Sequence, residues 1–313
     1  MIQRMMIAVM GALLAMSTSA NANSLDFEAL ASAQASRPLP PLQTYEARGG
    51  TSLAYRHYPS EARTALVLVH GSGTDSRYLA TLAHELAASG AASVYTPDVR
   101  GHGPSPVRRG DIDYIEQLED DLADLIAHIK DTNTDVSRVV VGGHSSGGGL
   151  AVRFAGGQHG HLASAYLLLA PYLGHDAPTV RDNSGGWAEP GVARIVAISM
   201  LNAIGITHFN GADVLRFNLP PEYRDGSETL AYSYRLMSGF SPADFRQALD
   251  SVQVPVLVVT GAEDEALYAD QFEPVLRPLV PHADITTVEG ASHLGLVVSE
   301  EGIATVRQWL QGL

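Results

Sequence analysis

The chain has 313 residues, 45% of them apolar and 17% charged, with a formal net charge of -14 and no cysteine. Such a length holds one large domain or two ordinary ones, and the apolar share is enough for a sizeable core. The acidic balance, with no basic run, excludes nucleic acid as a partner, while the lack of cysteine excludes disulfides, a cysteine nucleophile and a thiolate zinc site.

At the N-terminus Arg4, the apolar run Met5 to Met16 and the small-residue site Ala20-Asn21-Ala22 have the layout of a secretory signal peptide over residues 1–22. The run is shorter than the ~20 residues a membrane span needs. An exported chain, periplasmic or secreted, with no stable membrane insertion after cleavage is therefore expected. Residues 23–45, including RPLPPL, are small, polar or Pro-rich and are expected to form a tether.

From residue 46 to 171 short β-branched runs alternate with helical patterns. TSLAYRHY (51–58) and TALVLVH (64–70) predict strands, YLATLAHELAAS a helix stopping at Gly90, and ASVYTPD (92–98) another strand. IEQLEDDLADLIAHIK (115–130) predicts an amphipathic helix, with acids early and Lys130 last as the helix dipole favours. Strand SRVVVGG, helix LAVRFAG and strand SAYLLLAP (164–171) follow. The alternation returns over 251–313 with strand VPVLVVTG, a helix around QFEPVLRPLV, strand ADITTVEG and helix GIATVRQWLQ. This order predicts an α/β fold with a mostly parallel sheet covered on both faces. Residues 172–250 break the rhythm. A structureless loop of that length is improbable in a compact domain, so a lid insertion with its own helices is expected, one of them over GVARIVAISMLNAIGI.

In such sheets ligands meet the protein at the carboxyl ends of the strands. Ser145 stands there in Gly143-His144-Ser145-Ser146-Gly147, between a β-branched strand and a helix. A serine on so sharp a turn needs glycines two positions away, and the turn aims the first helical amides at the space a negative oxygen would occupy. Asp264 follows the next-to-last predicted strand and His293 the last, 29 residues later, in the order Ser, Asp, His. A turn-forming Asp or a solvated loop His would explain either alone; three hits at three strand ends point to one site. Glu263 and Glu265 flank the acid and leave its register open. In His70-Gly71-Ser72-Gly73 the backbone N–H of Ser72 would join that of Ser146 as an oxyanion hole. His159, His161 and His175 have no carboxylate at ligand spacing and are assigned no metal. The aromatic and Met residues of the insertion, Trp187 and Tyr232 among them, are assigned no site role.

HGSG, Asp98-Val99-Arg100-Gly101-His102-Gly103-Pro104-Ser105, GHSSGG, GAEDE and GASH together resemble the α/β-hydrolase superfamily, in particular its monoacylglycerol lipase, lysophospholipase and serine aminopeptidase-like branch. The resemblance covers roughly 51–171 and 254–313. It implies an α/β-hydrolase fold, a Ser145, Asp264, His293 triad, and a buttressing role for Arg100 and His102. The expected chemistry is acyl transfer with no cofactor: an exported serine esterase acting on small or medium acyl esters or lysolipids. An amidase or aminopeptidase with the same triad is the alternative, and a binding protein that kept the fold without turnover a third. The substrate partner is a small-molecule ester or lipid; the oligomeric state is not legible.

Overall fold

The structure, a computed structural model, describes residues 25–34, 38–181, 184 and 186–313. The expected signal peptide lies outside the described residues. Among those described, no helix is long and apolar enough to cross a membrane.

The frame is an eight-stranded sheet. Its strands are β1 (Leu42–Ala47), β2 (Thr51–Tyr58), β3 (Thr64–Val69), β4 (Ser93–Pro97), β5 (Arg138–His144), β6 (Ala165–Leu169), β10 (Val256–Gly261) and β11 (Asp284–Val288), in the spatial order β1-β2-β4-β3-β5-β6-β10-β11. β2 pairs antiparallel with β1 and with β4; every pair from β4 to β11 is parallel. Parallel strands need long crossovers, and the helices α2 (Ala80–Ala88), α3 (Gln117–Thr132) and α4 (Ser146–Gly156) in the first half and α8 (Phe272–Leu276) in the second lie in them, while α9 (Glu300–Gly312) follows the last strand.

β3, β4, β6 and β10 are buried at every residue, which requires cover on both faces and explains why β3, β6 and β10 read as near-continuous Val and Leu runs. α2 and α9 pack on one another, as do α3 and α4. The edge strand β11 alternates too little to bury itself and exposes Asp284, Thr286 and Thr287. The predicted helix around QFEPVLRPLV is cut to α8, since Pro278 follows closely on Pro274.

Two segments differ from expectation. Residues 23–45 are not simply a tether: α1 (Phe27–Gln34) forms there, with Leu25, Phe27 and Leu30 buried, and β1 begins at Leu42. FEALASAQ has good helix formers, and Asp26 caps it by accepting the Ala29 amide at 3.0 Å. Residues 172–250 hold helices α5 (Val192–Ala203), α6 (Tyr234–Gly239) and α7 (Phe245–Asp250), as expected in kind. They also hold a three-stranded antiparallel sheet, β7 (Ala188–Pro190), β8 (Asp213–Phe217) and β9 (Ala231–Ser233), whose three- to five-residue strands are too short to show a period.

Candidate active site

Ser145 lies between β5 and α4 with φ 56° and ψ -121°, a conformation that non-glycine residues rarely hold. The turn is possible because of its neighbours. A Cβ on Gly143 would come within 2.3 Å of the Gly147 backbone, and one on Gly147 within 2.3 Å of the Val69 carbonyl oxygen. Strand β5 therefore runs directly into α4 with the Ser145 hydroxyl standing clear.

The structure brings together the three side chains singled out in the sequence. Ser145 Oγ is 3.0 Å from His293 Nε2, and His293 Nδ1 is 2.7 Å from Asp264 Oδ2. With the Nδ1–H donated to the carboxylate, Nε2 is left as acceptor for the serine hydroxyl. Asp264 Oδ1 in turn accepts the amides of Ala266 at 2.8 Å and Leu267 at 2.7 Å. The register question is answered by burial: Asp264 is 1% exposed, whereas Glu263 points to solvent. Glu265 has a separate task, accepting the His293 amide at 2.8 Å.

Burial pushes the Asp264 carboxyl up, but the His293 charge and hydrogen bond, with the two amides, outweigh it and hold Asp264 below the usual range. Burial pushes His293 down, yet the Asp264 charge and hydrogen bond, helped by the Glu265 charge, leave it above its ordinary value.

The acid turn is tied to both sides. Glu263 donates its amide to the Ala291 carbonyl at 3.0 Å, joining the turn to the histidine loop. Arg181 Nε reaches the carbonyls of Asp264 and Leu267, both at 2.9 Å, while its guanidinium lies over the Tyr268 ring.

Two buried tyrosine-histidine chains shape the other wall. The Gly71 amide donates to Tyr78 Oη at 2.6 Å, the Tyr78 hydroxyl is 2.9 Å from His144 Nδ1, and His144 Nε2 is 3.0 Å from the His293 carbonyl oxygen. A carbonyl only accepts, so Nε2 carries the proton and Nδ1 takes the tyrosine hydroxyl. In parallel, the Gly73 amide donates to Tyr232 Oη at 2.9 Å, and that hydroxyl meets His102 Nε2, whose Nδ1–H faces the carbonyls of Val99 and Arg100. Burial drives both His102 and His144 down to about 3, so both stay neutral at ordinary pH.

The amides of Gly71 and Gly73 are thus occupied, and that of Ser72 between them has no acceptor among the described residues. Ser146, first residue of α4, likewise has no intrahelical acceptor for its amide. These are the two donors expected of an oxyanion hole, and both border Ser145. Trp187 Nε1 donates to Ser72 Oγ at 3.0 Å, so Trp187 lines the site, although no site role is assigned to it from the sequence. Arg100 forms a buried two-bond pair with Asp121, at 2.7 Å each, behind the site. His159 pairs with Asp120 at 2.7 Å instead of standing free, and His161 Nδ1 faces the Gln158 carbonyl at 3.1 Å. Among the described residues no group of three or more His, Cys, Asp or Glu converges as metal ligands.

The sequence reading missed Tyr78, Tyr232, His144, Glu265 and Trp187. Only a buried polar residue next to a predicted strand end could have signalled them, and burial of a single polar residue leaves no period in a sequence.

Comparison with known proteins agrees with the fold. The non-heme chloroperoxidase CPO-A1 of Kitasatospora aureofaciens is 30% identical over 215 residues, covering 63% of this chain and 73% of that protein. Among solved structures, the Saccharomyces cerevisiae monoglyceride lipase, bound to a substrate analogue, superposes with a TM-score of 0.68 at 18% identity, over 88% of this chain and 96% of that one. The Paleococcus ferrophilus monoacylglycerol lipase gives a TM-score of 0.62 at 20% identity, over 84% and 99%. Residues 60–296 match the family described as Hydrolase_4, serine aminopeptidase, S33. With strand order, serine turn and sequence match in agreement, this chain belongs to that serine aminopeptidase-like branch of the α/β hydrolases.

Proposed function

We propose that the protein is an exported serine hydrolase that cleaves carboxylic esters, small or medium acyl esters or lysolipids, through an acyl-enzyme. The observation that carries the reading is the continuous line Ser145 Oγ, His293 Nε2, His293 Nδ1, Asp264 Oδ2, with separations of 3.0 and 2.7 Å at its two joints. The family match and the lipase folds among its structural neighbours support it, and the leader-like layout of residues 1–22 supports export.

In this reading Ser145 Oγ bonds to the ester carbonyl carbon as its proton passes to His293 Nε2, and the carbonyl π pair moves onto oxygen. The amides of Ser72 and Ser146 hold that oxyanion, while Asp264 stabilises the imidazolium. Collapse breaks the bond to the alcohol, which leaves with the proton from Nε2. Water then attacks the acyl-serine, giving up its proton to the same nitrogen, and the acid departs as Ser145 regains its hydrogen. No group beyond these side chains and water is required by the step balance.

The test is a series of p-nitrophenyl esters with rising acyl length, run beside matched anilides on wild type and Ser145→Ala. Ester turnover that vanishes in Ser145→Ala is the expected result. Faster cleavage of anilides would favour the aminopeptidase alternative, and labelling by a fluorophosphonate without any turnover would favour a binding protein. Export is checked by N-terminal sequencing of the protein recovered outside the cytoplasm, expected to begin at Asn23.

A further inference from the structure

Beside Ser145 there is space for little more than a water, about 20 Å³, although ligand pockets commonly measure ~300–1,000 Å³. Leu25 and Phe27 form part of its wall, together with Trp187, Tyr78 and Thr74. On the other side of that wall lies a cleft of about 450 Å³, whose lining shares Phe27, Thr74 and Tyr78 with the nucleophile pocket.

We propose that Phe27 is a specificity gate between the two spaces, and that the cleft takes the apolar chain of the ester when the Phe27 ring moves aside. The inference rests on the hydrolase reading and adds to it the part of the substrate that this chain selects.

Of the three shared residues, Phe27 is the one whose side chain no hydrogen bond holds in place. Tyr78 is fixed by its bonds to Gly71 and His144, and Thr74 Oγ1 reaches the Gly71 carbonyl at 3.4 Å. The Phe27 ring is buried in the apolar core and packs against Trp187 and Tyr223, with centroids 5.5 Å away in each case. Its segment is nonetheless tied to the site. The Asp26 amide donates to Glu265 Oε1 at 2.9 Å, on the same carboxylate that holds the His293 amide, and Ser292 Oγ lies 3.4 Å from Asp26 Oδ2. The tether therefore bends at a fixed point beside the histidine, with Leu25 and Phe27 on either side of it.

The cleft suits a hydrocarbon. Leu30, Leu39, Ala80, Leu219 and Tyr223 supply apolar wall. The charges that line it are already satisfied within the protein. Arg77 binds Asp75 at 2.8 Å and Asp225 at 2.6 Å, and the Glu228 carboxylate accepts the Gly226 amide at 2.7 Å. Each of them thus has an ion-pair or hydrogen-bond partner without the ligand.

The chain in question could belong to the acyl or the alcohol side of the ester, and two substrate series separate these. In the full chain, Phe27→Ala widens the gate, Ala31→Trp fills the cleft from an exposed position, and Asp26→Ala removes the α1 cap and loosens the segment. The reading is the ratio of kcat/KM for p-nitrophenyl octanoate over acetate, and for octyl over ethyl acetate. In at least one series, Phe27→Ala and Asp26→Ala are expected to raise the ratio by about tenfold and Ala31→Trp to lower it by about tenfold, the discrimination that a methylene or two commonly brings in an apolar pocket. The series that moves identifies the side. Ratios that stay within about twofold in all three variants, while Ser145 is still labelled by a fluorophosphonate, overturn the gate and leave the hydrolase standing. No labelling and no turnover in wild type and variants alike overturn both.

Discussion

Glu265 accepts the His293 backbone amide at 2.8 Å, one residue after the carboxylate that accepts the ring N–H of the same histidine at 2.7 Å. Two consecutive acids thus fix one base, and both raise its proton affinity against the effect of burial. Because the neutral ring is the working form, kcat/KM should rise with pH through the His293 titration, with a midpoint above the ordinary ~6.5 expected for an unperturbed histidine. Glu265→Gln keeps an acceptor for the amide but removes a charge, so the midpoint should move to lower pH. A pH profile from 5 to 9 with a chemically slow ester reads both; an unmoved midpoint would exclude the Glu265 charge as a contributor.

Asp264 is buried and Glu263 is not, which predicts unequal losses. Asp264→Asn should cost about 10⁴ in kcat and Ser145→Ala about 10⁴–10⁶, while Glu263→Gln should change activity little. Single-turnover assays on folded variants decide it. Equal small losses at 263 and 264 would remove Asp264 from the triad.

Tyr78→Phe deletes one hydroxyl on which two buried groups depend, the Gly71 amide and His144 Nδ1. Leaving such groups unpaired costs about 1–3 kcal/mol. His144 also grips the His293 carbonyl, so the loss should appear in kcat as well as in denaturant unfolding. Restored stability without restored turnover, on adding a compensating mutation elsewhere, would separate the two effects.

His102 and His144 have folded values near 3, far below the ~6.5 of the unfolded chain. Between those limits the unfolded state binds the extra protons, so stability is lost as pH falls below about 6.5, by about 1.4 kcal/mol per pH unit for each ring. His293, shifted the other way, contributes stability that is lost only as pH rises above 6.5 through its folded value. Urea unfolding between pH 5 and 6.5 should show a slope shallower in His102→Gln than in wild type, by about half a proton at pH 6.5 rising to about one at pH 5.

The strands that hold Ser145, Asp264 and His293 were legible because β5 and β10 are buried apolar runs, β11 is a β-branched run, and each stops at a glycine or a turn; the ends of β5, β10 and β11 fall within two residues of expectation. The choice among Glu263, Asp264 and Glu265 was not, since all three sit in one turn and only the packing of the ring decides which carboxylate faces it. Helix α1 was hidden by Pro38, Pro40 and Pro41 just beyond it, which made the whole segment resemble linker. The tyrosine-histidine chains join residues 66 and 130 positions apart, and no local pattern encodes a pairing that distant.

β6 and β10 are hydrogen-bonded neighbours in the sheet, although all of residues 172–250 intervene between them in the chain. The exposed turn at Gly205 lies within that excursion, with nothing within 4 Å of where a side chain would begin. A polypeptide split there would consist of two fragments, one bearing the hydroxyl and the other the carboxylate and the imidazole. The β6 and β10 ladder would remain as their seam, so the reacting trio depends on the continuity of the sheet and not on the continuity of the chain.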